Sequence, residues 1–257
     1  MKKLWDKWYY RTICYVALLI IVLISLGYAF MEKLLFPAPF TGKKAGNITL
    51  QSGKAVLDAV WFPTERKQNV ILYSHGNGEH LALIIPWLKE FTRHDYSIFA
   101  YDYAGYGASI GKPGEKQAYQ DIESAYRYLT QEKKISPDNI IVMGFSVGSG
   151  PSTYLATKYP VKGLVLVAPF ASAIQVALPF SLPFDRFPSA KRLKQKGIPV
   201  LIFHGTADRI IPFRNGQSIF EHATGRKKFI PVSNADHNNI FSVAGQMFWD
   251  ELKKFSL

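Results

Sequence analysis

Six short apolar runs between residues 69 and 232 constrain the fold more than any other feature of this sequence. Each run is rich in Val, Ile, Leu, Phe and Tyr, and longer segments with helical patterning lie between them. Continuous β-prone runs of this length are typical of strands that are buried on both faces of a parallel sheet. The six runs are Asn69–His75, Tyr96–Asp102, Asn139–Phe145, Gly163–Ala168, Pro199–Gly205 and Lys227–Val232.

Two earlier runs, "NITL" and "AVLDAVWF", predict an opening pair of strands ahead of these six. The alternation of strands with amphipathic segments predicts an α/β fold over residues 46–257. We expect a mostly parallel central sheet of about eight strands, flanked by helices. The predicted helices are Leu81–Arg93, Glu115–Glu132, Ser146–Lys158, Phe213–Ala223 and Ile240–Phe255.

The N-terminus carries no charge from Thr12 to Met31. Twenty helical residues span about 30 Å, the thickness of a bilayer core. We therefore predict a basic cytoplasmic segment at 1–12, a single transmembrane signal-anchor helix at 13–31 and a linker at 32–45. The lysines and arginine before the apolar run predict, by the positive-inside rule, that the α/β domain lies on the extracytoplasmic side. A cleaved signal peptide is the alternative, because Gly27 and Ala29 have the spacing that signal peptidase accepts.

The net charge of +12 raises the question of nucleic-acid binding. The basic residues are scattered and follow no nucleic-acid motif, so we predict no nucleic-acid partner. No histidine or carboxylate cluster has metal-ligand spacing and no glycine-rich phosphate loop is present, so we predict no metal and no cofactor. Cys14 is the single cysteine, which excludes an internal disulfide. We expect a monomer.

The stretch "MGFSVGSG" places Ser146 directly after a predicted buried strand and before a predicted helix. Glycines stand two residues before and two residues after it, at Gly144 and Gly148. A strand, a tight turn and a helix with this spacing are typical of a nucleophile elbow, which lifts a serine hydroxyl above the sheet. The alternative interpretation is a serine that only caps a glycine-rich helix.

Two further residues favour the nucleophile. Asp208, in "HGTAD", follows one predicted strand, and His237, in "NADHNN", follows the next. The order Ser, Asp, His along the chain is the one expected for a catalytic triad of this architecture, because the carboxyl ends of parallel strands meet at one edge of the sheet. Asp102 also follows a strand and is the alternative triad acid, although Gly105 and Gly107 indicate that it stabilises a turn.

Five segments, taken in order, make the chain similar to serine hydrolases of the α/β-hydrolase superfamily. They are "SHGNGEH", "YDYAGYGASIGKPGE", "GFSVGSG", "HGTADRIIP" and "NADHNNI". The resemblance runs from about residue 46 to residue 257. It is strongest to small membrane-associated members, which include protein depalmitoylases and other esterases or thioesterases. One departure is Asp236, which stands where relatives often have a glycine before the catalytic histidine.

The resemblance implies a role for each matching residue. Ser146 is the implied nucleophile, His237 the general base and Asp208 the acid that orients the imidazole. The backbone N–H groups of Asn77 and Val147 are the implied oxyanion hole. His75, in the "SHGN" turn, is expected to brace the oxyanion loop rather than to act as a base.

About thirty residues between the strands that end at Ala168 and begin at Pro199 predict a short cap over the site. Prolines interrupt helix formation there, and phenylalanines supply apolar surface. The candidate pocket residues are Phe170, Phe180, Phe184 and Phe187. The alternative is that these aromatic side chains only cover the core.

Together these features predict a membrane-anchored serine hydrolase that cleaves a carboxylic ester or thioester of a lipophilic acyl group through an acyl-enzyme. The substrate is expected to be a small-molecule or lipid ester, or an acyl group on a protein. A serine peptidase of the same fold and a non-catalytic membrane-tethered binding or scaffold protein are the alternatives, since a fold does not fix a function.

Overall fold

The computed structural model describes residues 2–65, 69–178 and 185–257, with the backbone alone for residues 2–6 and 28–32. Its sheet has eight strands in the order β1-β2-β4-β3-β5-β6-β7-β8. The β1 and β2 pair is antiparallel, β2 runs antiparallel to β4, and all the other neighbours are parallel. The strands are β1 (Ile48–Ser52), β2 (Ala55–Phe62), β3 (Val70–Ser74), β4 (Ser97–Tyr101), β5 (Ile140–Phe145), β6 (Gly163–Val167), β7 (Val200–Gly205) and β8 (Lys227–Val232).

The buried strands alternate their side chains between two separate cores, one on each face of the sheet. In β5, for example, Ile140 and Val142 belong to one core, while Ile141 and Met143 belong to the other. Because both faces are covered, every residue of β3 to β7 is buried. This explains why these strands are continuous apolar runs without polar alternation. The predicted mostly parallel α/β fold is confirmed.

Helices cover both faces. Buried residues of α3, α4, α5 and α6 pack in one core, and those of α2, α7 and α8 pack in the other. Of the N-terminal helix, α1, only the end approaches these cores among the described residues: Leu35 packs against the first of them. The helices are α1 (Lys2–Leu35), α2 (Leu81–Arg93), α3 (Glu115–Arg127), α4 (Ser149–Lys158), α5 (Ser189–Gln195), α6 (Arg214–His222), α7 (Ile240–Ala244) and α8 (Gln246–Ser256).

Three helices of the α/β domain differ clearly from the sequence prediction. The helix predicted at 240–255 is broken at Gly245, whose φ of +49° belongs to the left-handed region. The helix predicted at 115–132 ends as an α-helix at Arg127 and continues as one π-helical turn. Helix α5 was not predicted, because its short basic sequence resembles a surface loop; of its residues only Ser189, Ala190 and Leu193 are buried.

The N-terminal helix extends beyond the predicted span and ends at Leu35. Within it, the stretch Lys7–Gly27 is long and apolar enough to cross a membrane, and the part of the protein that the structure describes buries none of it. The residues predicted as a linker are partly docked on the domain. Thr41 and Gly42 donate backbone hydrogen bonds to the carbonyl oxygen of Gly107, at 2.8 and 3.0 Å. The helix therefore leads into the α/β domain through a short, bonded segment.

Candidate active site

Ser146 stands at the end of β5 in a strained backbone conformation. Its φ of +53° lies in the left-handed region, which a non-glycine residue seldom adopts. Close packing around the turn explains the flanking glycines. A Cβ atom at Gly148 would lie 2.1 Å from the carbonyl oxygen of Ser74, and one at Gly144 would lie 2.3 Å from the carbonyl oxygen of Gly148. This strand, strained turn and helix have the geometry of a nucleophile elbow.

The structure brings the three predicted triad residues into one chain of hydrogen bonds. His237 Nε2 lies 2.9 Å from Ser146 Oγ, and His237 Nδ1 lies 2.8 Å from Asp208 Oδ2. All three side chains are buried. Ser146 and His237 are separated by 91 residues in the chain, so only the fold can bring them together.

The loops after β7 and β8 are held against each other, which positions Asp208 and His237. Ala207 donates its N–H to the carbonyl oxygen of Ala235 at 3.0 Å. A Cβ atom at Gly205 would lie 2.3 Å from the same carbonyl oxygen, so only glycine permits this approach. Asp236, the departure from the usual pattern, accepts the backbone N–H of His237 and so stabilises the turn that carries the imidazole.

The carboxylate of Asp208 is held ionised. Its Oδ1 accepts the backbone N–H groups of Ile210 and Ile211 at 2.9 and 2.8 Å, while Oδ2 accepts from His237. Burial alone would raise the pKa of Asp208, but the hydrogen bond and charge of His237, with the N–H of Ile211, hold it below the usual value. An ionised carboxylate at this position fixes the Nδ1–H tautomer of His237, which leaves Nε2 free to accept a proton.

Asp102 lies in different surroundings. Its Oδ1 accepts the N–H of Leu81, at the start of α2, and lies 3.4 Å from Nε2 of the buried His75. His75 Nδ1 donates to the carbonyl oxygen of Gly76 at 2.8 Å. Burial alone would lower the pKa of His75, but the hydrogen bond and charge of Asp102 outweigh it and raise that pKa. The pair thus braces the loop that carries Asn77, and Asp102 does not orient His237.

Asn77 and Val147, the predicted oxyanion donors, both line the cavity that contains Ser146. Val147 follows the nucleophile directly in the short 3₁₀ turn at Ser146–Gly148. Asn77 lies in the turn after β3, where Glu79 accepts the N–H of Gly76 at 2.6 Å. Its side chain donates a hydrogen bond of 3.1 Å to the backbone carbonyl of Leu34, in the last turn of α1.

The cavity beside Ser146 has a volume of about 450 Å³, within the usual range for small-molecule sites. Its walls are almost wholly apolar, and none of its described lining residues carries an ionisable side chain. The lining outside the reacting groups consists of Leu34, Leu35, Phe170, Ala173, Ile174, Val176, Ala177, Leu178, Ile210 and Ile211.

The four predicted pocket phenylalanines differ in position. Phe170 lines the cavity. Phe187 does not, because its ring is buried in the core between Phe36 and Tyr119 and against Gly150 of α4. Phe180 and Phe184 lie outside the described residues. The alternative interpretation, in which the aromatic side chains cover the core, therefore holds for Phe187.

Sequence reasoning missed two walls of the cavity. Ile210 and Ile211 lie two and three residues after Asp208, so their apolar character close to a triad residue was an available signal. Leu34 and Leu35 come from the end of α1, which the sequence pattern separates from the domain. Nothing in the sequence indicates where a helix end docks.

Comparison with known proteins supports the α/β-hydrolase fold that the sequence predicts. Residues 65–189 match the family described as Serine aminopeptidase, S33. Alpha/beta hydrolase domain-containing protein 17C of Xenopus tropicalis is 38% identical over 189 residues, 72% of this chain and 60% of the relative. The 17B protein of Homo sapiens is also 38% identical, over 72% of this chain and 65% of the relative. A solved esterase of Pyrococcus furiosus matches with a TM-score of 0.68 at 16% identity, covering 81% of this chain and 88% of that one.

The eight-stranded sheet, the strained serine turn and these matches define the class of fold, and the chain belongs to the α/β-hydrolase superfamily. The predicted superfamily is thereby confirmed. Within the superfamily, the chain is similar to the Alpha/beta hydrolase domain-containing 17C and 17B proteins. The match spans 60% of the length of the first of these relatives, so the bond and the substrate of this chain are matters for proposal.

Proposed function

We propose that the protein is a membrane-anchored hydrolase that cleaves carboxylic ester or thioester bonds of lipophilic acyl groups through an acyl-enzyme on Ser146. The observation that carries the proposal is the chain of hydrogen bonds from Ser146 Oγ through His237 to Asp208, at 2.9 and 2.8 Å. Both distances are within the reach that general-base activation of a nucleophile requires.

In the first step, Ser146 Oγ attacks the acyl carbonyl carbon while His237 Nε2 accepts the hydroxyl proton. The tetrahedral intermediate collapses as the bond to the leaving oxygen or sulfur breaks, and His237 returns its proton to that atom. In the second step, water attacks the acyl-serine ester and His237 accepts a proton from the water. The bond between the acyl carbon and Ser146 Oγ then breaks, His237 returns the proton to Oγ, and the free acid leaves. Asp208 stabilises the imidazolium that forms in each step.

Negative charge develops on the carbonyl oxygen in both steps. The backbone N–H groups of Val147 and Asn77 are the proposed donors to this oxygen, since both residues line the cavity beside Ser146. One such donor typically contributes roughly a hundred- to a thousandfold in rate. Because the donors belong to the main chain, substitution of these side chains leaves the N–H groups present.

The apolar cavity supports an acyl chain as the part of the substrate that is recognised. Its described walls present aliphatic carbon and one phenylalanine, and no charged group to bind a polar acyl substituent. Each methylene transferred from water into such walls contributes about 0.8 kcal/mol, which is roughly fourfold in kcat/KM. A lipid ester or an acyl group on a membrane protein would supply such a chain beside the anchor.

The membrane location rests on α1. Its stretch Lys7–Gly27 has 21 residues and a mean hydropathy of 2.0, which suits a single membrane-spanning helix. The basic residues before the apolar run support a cytoplasmic N-terminus, with the α/β domain on the extracytoplasmic side. A monomer and a boundary between anchor, linker and domain near residues 31 and 46 belong to the same proposal.

A serine peptidase is the second candidate, because the matched family has a peptidase description. An aminopeptidase binds a substrate ammonium group, and that charge is costly in an apolar cavity unless a carboxylate or other acceptors pair with it. None of the described residues that line the cavity is acidic, which favours the ester or thioester. A non-catalytic scaffold is disfavoured by the intact hydrogen-bond chain, because a scaffold does not need it.

The test is a substrate panel on the full-length protein in detergent micelles: acyl esters and thioesters with chains of two to twelve carbons, and an aminoacyl amide. We expect kcat/KM to rise with chain length until the cavity is filled, with negligible amide cleavage. The Ser146→Ala variant should lose this hydrolysis and its labelling by a fluorophosphonate. Equal rates with acetyl and dodecanoyl esters would exclude an acyl-chain site, and unchanged turnover by Ser146→Ala would exclude the nucleophile.

A further inference from the structure

The end of the N-terminal helix forms part of the cavity wall. Leu34 and Leu35 line the same cavity as Ser146, although they belong to the helix that carries the apolar membrane stretch. Phe36, the next residue, is buried, and its ring lies 6.3 Å from the ring of Tyr103 and 6.0 Å from that of Phe187. Since Phe36 is fixed in the core, the last turn of α1 has a defined position over the site.

The same turn is bonded to the proposed oxyanion loop. The carbonyl oxygen of Leu34 is one of the last four of α1, which have no partner within the helix. Asn77 donates its side-chain amide to it at 3.1 Å. The partial negative charge at a helix C-terminus favours such a donor. Because the backbone N–H of Asn77 is a proposed oxyanion donor, this bond orients the peptide group that would stabilise the transition state.

The rim of the cavity next to the end of α1 is apolar and exposed. Leu34, Leu178 and Ile210 are 58%, 38% and 54% exposed, and all three line the cavity. Exposed apolar side chains around an opening are typical of a membrane or ligand contact. Exposed cations, Lys33 and Arg209, stand next to two of them in the chain, as suits a surface at the level of lipid headgroups.

The position of this rim relative to the bilayer follows from the length of the helix. The uncharged run ends at Met31, and Leu34 lies three residues further, which is about 4.5 Å along the axis. The headgroup layer on each side of the hydrocarbon is about 5–7 Å thick. Leu34 therefore lies within that layer when the uncharged run spans the bilayer. An acyl chain that leaves the hydrocarbon at this depth meets the exposed apolar side chains of Leu34, Leu178 and Ile210 at the opening of the cavity.

We infer that the last turn of α1 is part of the substrate site: Leu34 and Leu35 form a wall for an acyl chain that enters from the bilayer, and the Leu34 carbonyl positions the oxyanion loop through Asn77. This inference rests on the proposed acyl-enzyme chemistry of Ser146. It makes the anchor a determinant of specificity, and it makes the domain without α1 an incomplete enzyme.

The first test uses the full-length protein, reconstituted in vesicles, with a soluble acetyl ester and a membrane-dissolved dodecanoyl ester. In the double variant Leu34→Ala/Leu35→Ala, we expect kcat/KM for the dodecanoyl ester to fall at least tenfold and that for the acetyl ester to change less than threefold. Leu26→Ala, which removes an equally exposed leucine from α1 away from the cavity, is the matched control and should leave both rates unchanged.

A second variant adds side-chain volume to this wall of the cavity instead of removing it. Leu35→Trp should shift the preferred chain to shorter lengths by several carbons. Fluorophosphonate labelling of each variant distinguishes a failure of this inference from a failure of the proposed function. Labelling at the wild-type rate with an unchanged chain-length preference, in either variant, overturns the inference and leaves the proposed function intact. Absence of labelling in the wild-type protein overturns the proposed function itself.

The positioning role of Asn77 is tested by a split between kcat and KM. Asn77→Ala removes the bond to the Leu34 carbonyl and should lower kcat for the acetyl ester about five- to tenfold, with KM changed less than twofold. Asn77→Gln keeps an amide donor and should restore part of kcat. Equal kcat values for the wild-type protein and Asn77→Ala would show that the side chain positions nothing.

Discussion

Asp208→Asn is the substitution for which the structure predicts the most specific chemical consequence. Oδ1 of Asp208 accepts two backbone N–H groups, from Ile210 and Ile211, and Oδ2 accepts from His237. In the variant, the amide oxygen takes the Oδ1 position, because an NH₂ group there would face two donors. The NH₂ group therefore faces Nδ1 of His237.

That arrangement reverses the tautomer of the histidine. An NH₂ group that points at Nδ1 requires Nδ1 to accept, so the proton moves to Nε2. Nε2–H cannot accept the proton of Ser146, which lies 2.9 Å away. Loss of the useful tautomer in a triad of this kind lowers kcat by roughly 10⁴-fold, or about 5.4 kcal/mol of transition-state stabilisation. Packing should change little, because the two side chains have nearly the same shape.

The assay is steady-state hydrolysis of a hexanoyl ester, combined with the rate of fluorophosphonate labelling. The matched control is Asp102→Asn, because Asp102 is also buried after a strand and is the rival triad acid. We expect kcat of the folded Asp102→Asn protein to fall by less than about tenfold, since the asparagine oxygen can still accept the N–H of Leu81 and the pair with His75 acts on the oxyanion loop rather than on His237. The reasoning is refuted if Asp208→Asn retains more than a tenth of the wild-type kcat, or if Asp102→Asn is the more damaging variant.

Three further predictions concern stability, measured by urea unfolding with tryptophan fluorescence. Gly148→Ala should destabilise the fold by more than about 3 kcal/mol or prevent folding, because its Cβ would lie 2.1 Å from the Ser74 carbonyl oxygen; a wild-type midpoint contradicts this. Phe36→Ala should cost about 3–5 kcal/mol, because it leaves a cavity among buried rings, and a loss under 1 kcal/mol would mean that the segment is not docked. Burial raises the pKa of Asp121 to about 6, against N–H and hydroxyl donors that lower it. The stability that this raised pKa contributes is fully present below about pH 4 and is lost as the pH rises through about 6, so the free energy of unfolding should fall by roughly 2 kcal/mol between pH 4 and 7. Asp121→Asn should lack that slope, and an identical slope would exclude Asp121 as its source.

The sheet and the meeting of the triad residues follow from the sequence because they rest on local signals. Each buried strand is a continuous apolar run, and residues directly after parallel strands converge at one edge. That rule brings Ser146, Asp208 and His237 together without any knowledge of their contacts. The precise approach depends on packing that has no local pattern, such as the contact of Gly205 with the Ala235 carbonyl.

The substrate cavity was harder to predict, because its walls come from distant segments. Phe170 and Phe187 belong to the same proline-rich stretch, yet one lines the cavity and the other lies in the core. Leu34 and Leu35 are apolar residues at the end of a largely apolar helix, so their pattern predicts only that the helix continues, not what they contact. Their position over Ser146 depends on the docking of Phe36, which is a tertiary contact.

The most direct test of the proposed acyl-enzyme is to trap the acyl group on the protein. A dodecanoyl p-nitrophenyl ester is mixed with excess full-length enzyme, the reaction is quenched with acid within one turnover, and the peptides are mapped by mass spectrometry. We expect a dodecanoyl mass increase on the peptide that contains Ser146, and none in Ser146→Ala. Rapid release of p-nitrophenol without any modified Ser146 peptide, or with the acyl group on another residue, would contradict it.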